Sequence, residues 1–226
     1  MTEVQPKTDK LRASVYIDGF NLYYPIHEMG EDFMKWSSLW EISELLSEKG
    51  GCELQKVVFC TAVPREPDDK RARHNTFNTA QAGQGVTVIK GHHVWDDTAG
   101  KYSEKQSDIN VALSLLMDAE DDLYDAAYLI SADSDQAATA RVFKERHPKK
   151  KLICVAPPSR NPPTKCVAYA DFSFTMKKDL IERCIMDNIV PTPSGAMVRR
   201  PERYDPPKEW VHPKKRPKFN PKTFGL

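Results

Sequence analysis

The chain has 226 residues, 40% hydrophobic and 29% charged, with a formal net charge of +1; this suffices for one sizeable core plus trimmings. No run approaches the roughly 18 apolar residues of a membrane span, and the polar start MTEVQPKTDK does not read as a signal peptide. The five cysteines (52, 60, 154, 166 and 184) are odd in number and form no CxxC pair, which argues against a disulfide framework or zinc site and for reduced thiols in a cytoplasmic protein.

In chain order, residues 14–18 form a short apolar strand that ends on Asp18. Leu39, Ile42, Leu45 and Leu46 have the spacing of an amphipathic helix over 39–49, stopped by Gly50-Gly51. LQKVVFCTA (54–62) is a second strand, 68–81 a polar helix closed by Gly83 and Gly85, and VTVIK (86–90) a third strand. Residues 96–106 read as a flexible stretch. A helix over 107–118 follows, with Ser107 as its N-cap and Ile109, Leu113 and Leu116 on its apolar side. AAYLIS (126–131) is a fourth strand, 135–146 a helix and KLICVA (151–156) a fifth strand. Near-continuous apolar strands separated by helices imply a mainly parallel sheet covered on both faces, a three-layer α/β domain.

The composition changes past Val190. Eight prolines fall within the last 36 residues, and this segment carries nine Lys or Arg against three acids, a balance of +6. The first 190 residues carry 24 basic and 29 acidic side chains, a balance of −5. We divide the chain into an N-terminal extension (1–12), a domain (13–190) and a Pro-rich basic tail (191–226) without a core of its own. Trp210 and Phe219 are the tail's candidate anchors, to the body or to a partner chain, and a homodimer could form through the tail or surface aromatics.

In an open parallel α/β sheet, ligands bind at the carboxyl ends of the strands, where chain order reverses. Two strands here run into acids: VYI-Asp18 and YLISA-Asp133-Ser134-Asp135. Asp108 lies in the first turn of a helix, and Asn21 three residues past Asp18. Each has a bland alternative: Asp18 a turn, Asp108 a favourable partner of the helix dipole, Asp135 an N-cap. Together they suggest carboxylates that would repel one another and raise each other's pKa unless a cation joined them. Hard oxygen donors suit Mg2+ or Mn2+, which can activate water for attack on a phosphodiester. Asp118, ten residues beyond Asp108, is about 15 Å further along the helix; it reads instead as the start of a solvated acidic run to Asp125.

Other chemistry is weakly supported. Phe20 stands where a DxD phosphatase needs its second acid, and Gly19 alone does not make a dinucleotide loop. His92-His93 lack a further ligand pattern, but Lys90, His92, His93, Lys101 and Lys105 surround the approach to Asp108 and could meet a phosphate backbone. Lys70, Arg71, Arg73 and Lys149 to Lys151 are as readily solvated surface. Tyr23, Tyr24 and Trp95 could stack on unpaired bases or belong to the core.

VYIDGFNLYY, EKQSDINVALSLLMDA and YLISADSDQAATARVFKERHPKKKLICVAPP together resemble the NYN domain, a branch of the PIN-like nuclease superfamily, over roughly residues 13 to 185. The resemblance implies a PIN-like fold and a metal-dependent ribonuclease site in which Asp18, Asp108, Asp133 and Asp135 ligate Mg2+ or Mn2+ and Asn21 supports them. It departs from the family at Ala132, where S-G-D-S-D is common; alanine is tolerable there unless φ is positive. The expected function is a metal-dependent endoribonuclease acting on single-stranded RNA, with Lys90, His92, Lys101, Lys105 and Tyr23 toward the substrate. A non-catalytic RNA-binding module is the alternative, and small-molecule chemistry a third reading.

Overall fold

The computed structural model describes residues 10–97 and 100–216, the side chains of Asp96, Lys101 and Ser103 excepted. The expected contacts of Lys101 and Phe219 therefore lie outside the described residues. The first half of the chain runs β1 (Leu11–Asp18), α1 (Gly19–Glu28), a 3-10 turn at Asp32–Trp36, α2 (Leu39–Lys49), β2 (Cys52–Thr61), α3 (Asp68–Gly83) and β3 (Thr87–Lys90). An antiparallel hairpin, β4 (His92–Asp96) and β5 (Lys101–Lys105), leads into α4 (Ser107–Glu120) and β6 (Ala126–Ile130). The second half holds α5 (Ala137–Arg146), β7 (Lys151–Ala156), α6 (Thr164–Val167), β8 (Phe172–Thr175) and α7 (Lys178–Arg183). A small hairpin of β9 (Ile189–Pro191) and β10 (Met197–Arg199) follows.

Six strands form one parallel sheet in the order β3-β2-β1-β6-β7-β8. Strand side chains alternate faces, so the continuous apolar runs feed two cores. Val15, Ile17, Val57 and Phe59 pack with Leu22, Ile26, Leu39 and Ile42 of α1 and α2 on one face. Tyr16, Val58 and Cys60 pack with Val111 and Leu115 of α4 and Phe143 of α5 on the other. All five cysteines are free and buried. Among the described residues no helix is long and apolar enough to cross a membrane.

Five local expectations change. Part of the expected flexible stretch, 101–105, is strand β5, which pairs with β4; Trp95 meets Tyr102 across this hairpin, ring centroids 5.1 Å apart. Gln106, at a left-handed φ of 81°, takes the N-cap position of α4. Ser107 is the first helical residue, with both its N–H and its hydroxyl donating to Glu104 Oε1. The buried side of α4 is Ser107, Val111, Leu115, Asp118 and Ala119, leaving Ile109 60%, Leu113 51% and Met117 62% exposed. Both sides of this helix are apolar, so periodicity alone cannot choose between them. Asp118 is buried, accepting from Tyr16 Oη at 2.8 Å and from Lys56 Nζ. Finally, Asp18 is followed by a helix beginning at Gly19 rather than by a turn.

The tail's Trp210 packs on Phe33, centroids 5.2 Å apart, and donates to Glu182, while Tyr204 is buried. Several charges at the amino end of the sheet are paired. Lys150 bonds Asp122, and Lys151 sits 3.5 Å from Asp171. Arg12 grips Asp125 through both carboxylate oxygens, at 3.0 and 2.8 Å, and its hydrogen bonds hold that carboxyl down at about 2. An acid with a depressed folded pKa contributes stability above its unfolded value of 3.8 and loses it as pH falls toward about 2. With both side chains about a third exposed, screening leaves about 1 kcal/mol of this. Arg12→Gln should lower the melting temperature by about 3 °C at pH 7. Scans at pH 7, 4 and 3 should show the gap to wild type narrowing below pH 4; a constant gap would exclude Asp125 as the source.

Candidate active site

β1 lies between β2 and β6, the point where strand order reverses. In an open parallel sheet, this reversal beyond the carboxyl ends of the strands is where a ligand would sit. Asp18 ends β1 and caps α1: its Oδ1 accepts from the Asn21 N–H at 3.1 Å, and its Oδ2 from Asn21 Nδ2 at 2.7 Å and Ser131 Oγ at 3.1 Å. Asn21 Oδ1 accepts in turn from the Ala132 N–H at 3.2 Å, so one amide ties the ends of β1 and β6 together. Ala132 is not at positive φ, so its methyl costs nothing. Asp18 is fully buried, and burial pushes its pKa up against the hydrogen bonds that lower it.

Asp133 caps the short 3-10 turn Ser134–Gln136 by accepting from the Asp135 N–H at 2.9 Å. The cap is thus Asp133, while Asp135 is exposed at the rim. Asp108 enters from the first turn of α4, and Gln136 Nε2 donates to its carbonyl at 3.4 Å. Burial, and then the charges of Asp18, Asp133, Glu104 and Asp135, raise the Asp108 carboxyl to about 6. The charges acting most strongly on it are all negative. A hard divalent cation fits this donor set, because it would remove the repulsion that the carboxylates otherwise sustain. Among the described residues, however, no three His, Cys, Asp or Glu side chains already stand in a ligating arrangement. An ion here would require some carboxylates to close in or to reach it through water, as Mg2+ readily allows.

A family model described as the NYN domain matches residues 12–177. The chain belongs to the NYN domain family. NYN domains are generally nucleases of the PIN-like type. The fold is similar to that of a crystal structure of a protein of unknown function from Vibrio parahaemolyticus. That match has a TM-score of 0.54 at 17% identity and covers 77% of this chain and 98% of the other. No curated protein matches the chain.

Around this NYN cleft, Lys90 ends β3 and is exposed, while His92 and Lys105 face each other across the root of the hairpin. His92 Nδ1 lies 3.0 Å from Gln106 Oε1, two residues before Asp108. Tyr23 is not a free stacking surface. Its ring lies among Tyr24, His27 and His74 at 5.2 to 5.9 Å, beneath Lys35 and Lys70. Arg71 and Arg73 pair with Asp68 and Asp69. Sequence reasoning assigned no part to Ser131, Glu104 or Gln136, which hold the elements that carry the acids, Glu104 adding its own negative charge beside Asp108. Ser131, beside the SADSD acids, was the one with a visible signal.

Gly19 is set by close approach. A Cβ there would lie 2.6 Å from the Cys60 carbonyl oxygen and 2.8 Å from Thr61 Cβ. Gly19→Ala must push α1 away from β2, at a cost of about 2 kcal/mol, and shift Asn21 with it. We expect a lower melting temperature; an unchanged one would show that α1 has slack at this contact.

Proposed function

We propose that this NYN protein is a metal-dependent endoribonuclease that hydrolyses phosphodiester bonds of single-stranded RNA. The carrying observation is the set of acids around the strand-order reversal: Asp18 buried and held by three hydrogen bonds, with Asp108 raised to about 6 by its acidic neighbours. Asp18, Asp108 and Asp133 would hold Mg2+ or Mn2+, with Asp135 at the rim. A bound ion would supply Lewis-acid stabilisation of charge developing on the phosphodiester. The chain's own residues do the positioning. Asn21 and Ser131 keep the Asp18 carboxylate in one orientation, and Glu104 and Gln136 hold the start of α4 that carries Asp108. Lys90, His92 and Lys105 stand beside the cleft, where they can attract the RNA backbone, so binding should weaken steeply with salt.

The absence of a preformed ligating trio among the described residues favours one rival, an RNA-binding module that does not cut. End-labelled single-stranded RNA with Mn2+ or Mg2+, with and without chelator, separates the two. Internal cleavage that chelator abolishes supports the nuclease. RNA that is bound but intact supports the rival, and cleavage that persists in chelator overturns the metal-dependent reading.

A further inference from the structure

A cavity lies against α1, between it and α3. It measures about 50 Å3 and is lined by Gly19, Phe20, Tyr23, His74, Asn78 and Tyr204, among others. At 10–15 Å3 per water this is room for about four waters, close to the bulk of a single six-membered ring and too little for a fused pair. Two nitrogens in its lining residues are buried without a hydrogen-bond partner: Asn78 Nδ2, on a side chain only 5% exposed, and His74 Nε2. Buried polar groups are ordinarily satisfied, so each leaves a hydrogen bond that an occupant could make. Half-buried Phe20, Tyr23 and His74 put the mouth of the cavity at the surface. Gly19 and Phe20 follow Asp18 directly, so an occupant sits one step from the acids.

We propose that this cavity receives one unpaired pyrimidine base, next to the phosphodiester presented to the acidic cleft. The proposal rests on the ribonuclease reading and adds a preference to it. Asn78 Nδ2 would donate to a ring carbonyl, while the apolar lining of Leu22, Ile26 and Phe59 would contact the faces of the base. His74 is neutral near pH 7, since burial and then Lys70 and Arg73 push it down to about 4; its Nε2 can therefore donate or accept according to tautomer. The tail closes one wall: buried Tyr204, on the 3-10 turn Glu202–Tyr204, lines the cavity from outside the matched family segment.

The test is equilibrium binding of the full chain, in chelator, to short single-stranded oligomers of U, C and A. We expect U and C oligomers to bind about tenfold more tightly than A oligomers, the worth of one or two hydrogen bonds to a buried site. Asn78→Asp, which replaces the donor with an acceptor of the same shape, should bring pyrimidine binding down to the level of A and leave A unchanged. Tyr204→Ala should do the same by opening the wall. Equal wild-type affinity for all three oligomers overturns the proposal and identifies the cavity as water-filled packing, whether or not the protein cuts RNA. A pyrimidine preference without metal-dependent cleavage keeps the pocket and removes the nuclease. Pyrimidine mononucleotides should compete far more weakly than oligomers. Competition equal to the oligomer would overturn the RNA source in favour of a free nucleotide.

Discussion

Asp18→Asn should slow the proposed metal-dependent cleavage of single-stranded RNA about a thousandfold, the usual scale for removing one well-placed electrostatic group from a catalytic site. The fold should survive. Asparagine caps a helix as well as aspartate does, so its remaining carbonyl can accept from the Asn21 N–H, as Asp18 Oδ1 does at 3.1 Å. Its amide then faces the Asn21 amide and the Ser131 hydroxyl, which costs about 1 kcal/mol in hydrogen bonding. Against this, the substitution removes a fully buried charge whose pKa burial has raised, and the two effects nearly offset. Single-turnover cleavage with Mn2+ and a melting scan in chelator check both halves. A variant that cuts at the wild-type rate would remove Asp18 from the chemistry. One that loses activity by losing more than about 5 °C of melting temperature would show a structural role instead.

The acids were legible because strand ends are written in hydrophobicity. A run such as VYI or AAYLI cannot end on a carboxylate inside a parallel sheet, so each acid had to stand at an open edge. Asp18 ends β1 and Asp133 follows β6, and these two strands are neighbours, an order the sequence alone did not set. The detail around them was less visible. Pro25 obscured α1, since proline usually ends a helix, yet this one sits inside Gly19–Glu28. The hairpin at 92–105 has too few apolar residues to show a period; its strands are held by main-chain pairing and the Trp95–Tyr102 contact. Asn21 was visible as a neighbour of Asp18. Its link to Ala132, 111 residues away in sequence, was not.

The other large expected effect falls at Asp118, the residue whose local sequence was most misleading. DAEDDLYD looks like a solvated acidic run, but α4 turns Asp118 inward, 7% exposed, onto Tyr16 of β1 and Lys56 of β2. Asp118→Ala leaves a fully buried hydroxyl and a partly buried ammonium without their acceptor, a loss of about 3 kcal/mol. The melting temperature should fall by roughly 6 to 12 °C. The same contact anchors the far end of the helix that carries Asp108, so cleavage measured well below the transition should also slow several-fold. Tyr16→Phe with Asp118→Leu removes donor and acceptor together and should recover most of the stability, because well-packed apolar residues can replace a buried polar pair at little cost. If that double variant regains its melting temperature but not its cleavage rate, the network sets the position of α4 as well as holding it down. If both return, apolar packing alone is enough to seat Asp108 against Asp18.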